Sequence, residues 1–229
     1  MNGPNTIKIV MALRRSPGTT VEAFQATAPP PVLAAGLHRH VRSLTLPGGY
    51  RRGEPVYDAV HELWFDDEAA ARAAVPGLSA IVDAPGHDPA SVAVLVTREH
   101  TVVDGPVPAG AVKNIEFVTR RADLPYDEFV RYWATVHGPL AARIDVIRRY
   151  VQAHGLRAPG LPQPWDGLAI TWFDDVAAVR RSASTPEYAA TRADEPNFLA
   201  LGELPFLITT EREVAVGRGT APRTRRRGS

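Results

Sequence analysis

Cysteine is absent from the 229 residues. Without it there is no disulfide framework, no thiolate nucleophile and no Cys-ligated zinc or iron–sulfur site. Long apolar runs are missing too: none approaches the roughly 18 residues of a membrane span. The opening MNGPNTIKIVMALRR lacks a charged n-region followed by a cleavage site, so the expected location is the cytoplasm. No Gly-x-Gly-x-x-Gly follows a strand, and neither a Gly-x4-Gly-Lys-Ser/Thr loop nor a Gly-x-Ser-x-Gly elbow occurs. Nicotinamide and nucleotide cofactors and a hydrolase-type serine are therefore not expected. Lysine is scarce, 2 residues against 24 arginines, a bias of GC-rich coding rather than of binding. Net charge is +1, but five arginines lie in 217–229, which leaves residues 1–216 at −4. A mildly acidic body argues against a broad nucleic-acid face, which needs clustered cations.

What is present is ordinary globular composition, 45% apolar and 22% charged, arranged as an internal repeat. The strand-like Ile7–Arg15 is matched by Val112–Arg121, both closing on an arginine pair, Arg14-Arg15 and Arg120-Arg121, at an offset of 106. Glu22-Ala-Phe24 matches Asp127-Glu-Phe129 at 105, and Glu62-Leu-Trp-Phe-Asp-Asp67 matches Ile170-Thr-Trp-Phe-Asp-Asp175 at 108. Thr97-Arg-Glu-His-Thr-Val matches Thr210-Glu-Arg-Glu-Val-Ala near 113. Collinear anchors with a drifting offset mark two units, 1–106 and 107–216, linked by the Pro/Gly-dense Asp104–Gly110 and followed by a basic tail, 217–229, expected to be disordered.

Each unit reads as strand, helix, strand, strand, helix, strand, the ferredoxin-like βαββαβ order. Thr19 or Thr20, Asp66-Asp67 and Asp174-Asp175 supply helix caps, and Pro125 suits a first helical position. One such sheet has helices on a single face and leaves an apolar face bare. The expectation is an α+β fold of two tandem ferredoxin-like units packed sheet to sheet, a single-chain pseudo-dimeric barrel around a cavity. Period-2 alternation assigns faces. Ile115, Phe117 and Thr119 suit the helices, which turns Asn114 and Glu116 inward, with Val10 as Glu116's counterpart. Glu62 and Trp64 share a face, as do Ile170 and Trp172, opposite Phe65 and Phe173. Tyr150, Gln152 and His154 lie together, as do His38, His40 and Arg42.

The run Arg120-Arg121, Glu128-Phe129, Tyr132-Trp133, His137-Gly-Pro-Leu140, Arg149–His154, Asp166-Gly167, Trp172-Phe173-Asp174, Thr185-Pro-Glu-Tyr188 and Asp194–Phe198 resembles the EthD domain family. That family lies within the dimeric α+β barrel superfamily. The first unit resembles it in its arginine pair, Phe24, Trp64-Phe65-Asp66 and its closing strand. It reads Ala28-Pro-Pro-Pro-Val-Leu33 where the family carries its histidine, which makes it a degenerate copy. The resemblance implies relatives among cofactor-free monooxygenases, muconolactone-type isomerases, aromatic polyketide cyclases and haem-handling proteins. It does not choose among reactions.

His137 is the first candidate, an imidazole at the break that Gly138-Pro139 makes in a helix with Phe129, Tyr132, Trp133 and Val136 on one face. The competing role is a cap on the helix dipole. Glu116 would orient His137, and Tyr150 or Arg120 would stabilise an enolate oxygen. Trp172, Trp64, Glu62, Tyr132, His40 and Asn114 are the substrate-binding candidates. His38, His40, His61 and His87 with Asp88 match no zinc spacing, so no metal is expected, and beyond histidine itself nothing points to haem. The expected activity is cofactor-independent acid–base chemistry on a small apolar aromatic or polyketide-like metabolite, of cyclase or isomerase type. A cofactor-free monooxygenase and a non-catalytic binding protein remain the alternatives. The expected partner is a small molecule, and homodimerisation stays open.

Overall fold

The computed structural model describes residues 6–157, 163–200, 202 and 204–217. Apart from Gly217, the basic tail lies outside these residues. Eight strands, β1 (Ile7–Arg15), β2 (Leu37–Thr45), β3 (Ala59–Phe65), β4 (His87–Asp104), β5 (Val112–Val118), β6 (Arg149–Gly155), β7 (Gly167–Phe173) and β8 (Phe206–Glu213), form the sheet. They close into one antiparallel barrel in the order β1-β3-β2-β8-β5-β7-β6-β4. The halves therefore join edge to edge by hydrogen bonds, β2 to β8 and β4 to β6, rather than only stacking face on face. Closure removes the free edges that would invite aggregation. Strand β4 makes this possible by running 18 residues, pairing with β1 over His87–Arg98 and with β6 over Thr97–Asp104. Asp104, expected in the linker, is thus the last residue of a strand.

Helices α1 (Val21–Ala26), α2 (Glu68–Ala74) and α3 (Ser79–Val82) belong to the first half. The second half has α4 (Tyr126–Tyr132), α5 (Gly138–Ala141), α6 (Val176–Ser182) and α7 (Pro186–Asp194). Thr20, Asp67 and Asp175 each accept an N–H of the first helical turn, as their side chains predict. Pro125 stands one residue ahead of its expected place, flanking α4.

Two kinds of core result. Beneath the helices of the first half lie Ile9, Met11, Phe24, Leu63 and Phe65. Inside the barrel lie Val10, Val60, Leu95, Ile115, Phe117 and Ile170, with Trp165 against Phe117 at 4.5 Å between ring centres. The face reading of β5 is therefore inverted. Ile115 and Phe117 fill the barrel, whereas Asn114 and Glu116 point outward beneath the second-half helices. An alternating strand with apolar and polar sets does not say which side is dry when both faces are covered. The registers also correct the counterpart of Glu116: Met11 faces His61 and Glu116 faces Ala169, so an offset of 105 makes Met11, not Val10, its equivalent.

The barrel interior is not the expected ligand cavity. Strands β1 and β5 run parallel across the barrel, because four antiparallel steps separate them, so Lys8 and Lys113 enter the same end. Both are fully buried and both meet Glu62, Lys8 at 2.7 Å from Oε1 and Lys113 on Oε2. Lys8 also pairs with Glu99 at 2.8 Å and Lys113 with Glu211 at 2.7 Å. Trp64 and Trp172 donate their indole N–H groups to Glu99 and Glu211, at 3.3 and 3.1 Å. Burial alone would raise the Glu62 carboxyl, but the two ammonium groups outweigh it and bring its pKa down to about 2. Glu62, Trp64 and Trp172, read from sequence as substrate contacts, are thus committed to a closed ion network.

Candidate functional site

The second-half helix layer holds the other polar concentration. Between α4 and α5 the chain makes one π-helical turn, Trp133–His137. Pro139 explains it: proline has no N–H for the carbonyl of Thr135 and its ring crowds that carbonyl, so the turn widens instead of the helix stopping. Sequence reasoning expected a break here, and the structure has a bulge. Gly138 lets the turn sit on β6, since a Cβ there would meet Gln152 Nε2 at 3.0 Å and Trp133 O at 3.3 Å.

His137 closes this turn, 6% exposed, its ring 4.6 Å from the Phe198 ring centre. Its Nδ1 lies 3.0 Å from Asp194 Oδ2 at the end of α7. Asp194 in turn accepts from Tyr132 Oη at 2.6 Å and Asn197 Nδ2 at 2.9 Å. Those donors and His137 hold the Asp194 carboxyl below its usual range although burial works against them. An ionised Asp194 can only accept, so Nδ1 carries the proton and Nε2 is left with its lone pair. Among the described residues Nε2 has no hydrogen-bond partner. Burial lowers the His137 pKa from 6.5, with Asp194 opposing, so the ring is neutral at pH 7.

Glu116 was expected to orient His137; Asp194 holds that place. Glu116 instead accepts from Asn114 Nδ2 at 3.0 Å, and burial raises its affinity for a proton. Glu195, one residue beyond Asp194, is raised to about 7 by burial and by the Glu116 charge, against the pull of Arg192. Arg192 pairs with Glu195 at 2.8 Å, and its charge disfavours a proton on both His137 and Glu116. Tyr150, 2% exposed, accepts at its hydroxyl from Trp133 Nε1 and Gln152 Nε2, both 3.2 Å away. Its own O–H is left to donate.

The structure therefore gathers His137, Tyr132, Tyr150, Glu116 and Asn114 in one layer, and keeps the other candidates elsewhere. Arg120 lies two residues beyond β5, bridged to Leu199, and its backbone N–H and guanidinium both turn to Asp166, at 2.9 and 3.6 Å. His40 lies in the other half, Nε2 2.9 Å from His61 Nδ1, and burial takes its pKa down to about 4. Among the described residues no group of His, Asp or Glu converges as a metal set, and no helix is long and apolar enough to cross a membrane. Asp194, Glu195, Arg192 and Gln152 escaped sequence reasoning. Asp194 and Glu195 sit in a stretch quoted for its resemblance, but nothing in its spacing ties Asp194 to a residue 57 positions earlier.

Residues 121–202 match the family model of the EthD domain. The matched segment is less than half of the chain. It contains His137, Asp194, Tyr132 and Tyr150, while Glu116 on β5 lies just ahead of it. No curated protein matches the chain. Among solved structures, an anthrone oxidase-like protein is 14% identical, with 96% of each chain covered and a TM-score of 0.59. A proposed monooxygenase from Lactobacillus acidophilus NCFM is 10% identical over 93% of this chain and 97% of its own, TM-score 0.53. A proposed chlorite dismutase is 12% identical over 91% and 95%, TM-score 0.51. Likeness at such identity is likeness of fold, here over nearly the full length of both chains. The segment that matches the EthD model is thus one part of a barrel that the whole chain builds.

Proposed function

We propose that the chain is a duplicated ferredoxin-like protein, units 1–106 and 107–216, whose second unit is a cofactor-independent enzyme acting on a small apolar aromatic or polyketide-like ketone. Duplication is supported by the repeated strand order, fourth-first-third-second in each half. The same bond also recurs in both, Thr97 Oγ1 to Lys8 O and Thr209 Oγ1 to Lys113 O. The observation that carries the enzymatic reading is the Asp194–His137 pair, a neutral imidazole with its proton fixed on Nδ1. Its Nε2 takes a proton from the carbon beside the substrate carbonyl, and the Tyr150 O–H stabilises the enolate oxygen. Returning that proton to another carbon gives isomerisation, and attack of the enolate carbon on a second carbonyl gives cyclisation.

A second reading is favoured by the anthrone oxidase-like neighbour: the same enolate reacts with dioxygen as an external oxidant. Both readings share the first step, which is measurable by itself. In deuterated water the protein should exchange the methylene protons of an aromatic ketone such as anthrone, followed by nuclear magnetic resonance. His137→Ala should slow that exchange by about 10²- to 10⁴-fold. Exchange that survives in this variant overturns the mechanism. Dioxygen uptake during turnover would select the oxidative reading.

A further inference from the structure

Strands β2 and β8 meet at the seam between the halves, and their register sets Arg42 directly opposite Arg212. Like charges at facing positions of an antiparallel pair repel. Among the described residues neither guanidinium has a carboxylate within ion-pair distance. Arg42 is 2% exposed and donates to Thr27 O and Phe24 O at the end of α1, while its Nε is buried with no partner. Arg212 reaches Gln25 O at 3.1 Å. Glu213 also lines the space beside this pair, its carboxylate held by Arg39 at 2.8 Å. Burial, then the charge of Arg212, brings the Arg42 pKa down to about 10, which leaves it a cation at neutral pH. A buried, repelled and incompletely bonded cation is costly unless an anion completes it.

A pocket of about 350 Å³ opens on this pair, lined also by Thr27, Pro29, Pro31 and Val214. Its origin is legible in the repeat. Arg42 faces His61 as Gln152 faces Ala169, so Arg42 stands where Gln152 stands beneath the His137 turn. The first half has Ala28-Pro-Pro-Pro-Val-Leu33 in place of that turn, and the space is left unfilled.

We infer that this pocket is a binding site for an organic carboxylate, its anion held between Arg42 and Arg212 and its apolar body against Pro29, Pro31 and Val214. The volume suits a ligand of aromatic-acid size, and a guanidinium matches a carboxylate fork to fork. Residues 27–31 and 212–214 come from opposite halves, so the ligand bridges the seam between them.

The test is titration of the full chain with benzoate, with benzamide as the neutral control, read by calorimetry and thermal melting. Benzoate should bind saturably at millimolar concentration and raise the melting temperature, and benzamide should do neither. Arg212→Gln should weaken benzoate about tenfold or more. Ala215→Trp, at the exposed rim, should abolish binding, and His137→Ala should leave it unchanged, which separates this site from the proposed enzyme site. Equal binding of benzamide, unaltered benzoate affinity in Arg212→Gln, loss of binding in His137→Ala, or no saturable binding at all would overturn the inference. If Ala215→Trp fails to fold by circular dichroism, the Arg212→Gln result decides alone.

Discussion

The Asp194 carboxylate does two opposing things to His137. It favours the imidazolium, yet it also fixes the tautomer that makes Nε2 a base. Burial dominates the balance, so the folded pKa lies below 6.5. The unfolded chain then binds this proton more readily, and His137 withdraws stability as pH falls below 6.5, the loss being complete below its folded value. For activity the sign is the same, with the base form surviving to pH values below 6.5. Asp194→Asn removes the charge that raises the pKa, and with Tyr132 and Asn197 donating to its Oδ1 the amide turns an N–H toward His137 Nδ1, which favours the wrong tautomer. The acid limb of the pH–rate profile should move to still lower pH while the plateau drops by about 10²- to 10⁴-fold. An acid limb that moves up would show that Asp194 does not face His137 in solution.

At the scale of elements, the bulge between α4 and α5 aims the imidazole. Trp133, buried at 1% exposure, anchors the turn through Nε1 to Tyr150, and Gln152 Nε2 holds its carbonyl at 2.8 Å. Pro139→Ala restores an N–H for the Thr135 carbonyl, so the turn should tighten to an ordinary α-helix and rotate His137 off Asp194. The variant should remain folded, with helical circular dichroism equal to or above that of the parent, but lose the α-proton exchange activity. Parent-like activity would show that the proline does not set the turn.

Across the whole molecule, Glu62 joins the halves, because Lys8 comes from β1 and Lys113 from β5. Its counterpart by offset is Ile170, so one carboxylate bridges two equivalent lysines. Glu62→Gln leaves two buried ammonium groups short of charge and should destabilise the fold by about 3–5 kcal/mol at pH 7 in denaturant unfolding. With a folded pKa of about 2 against an ordinary 4.5, the Glu62 contribution is complete above pH 4.5 and is lost as pH falls through 2. The gap between parent and variant should therefore narrow at pH 3. A gap that is absent at pH 7 would mean that the pair adds nothing net.

The amino-acid order alone determined the strand and helix succession and the helix caps, because these depend on neighbours within a few residues. It also paired Glu62 with Trp64 and Ile170 with Trp172 on shared faces, since alternation fixes which side chains go together. Which of two covered faces looks into the barrel was decided only in three dimensions. Helices outside and a second half inside make both sides dry, so apolar Ile115 and Phe117 fit either. The partner of His137, the convergence of Lys8 and Lys113 on Glu62, and the facing of Arg42 and Arg212 are likewise products of closure. Each joins residues from strands or helices far apart in the chain, and only the barrel's registers bring them within bonding distance.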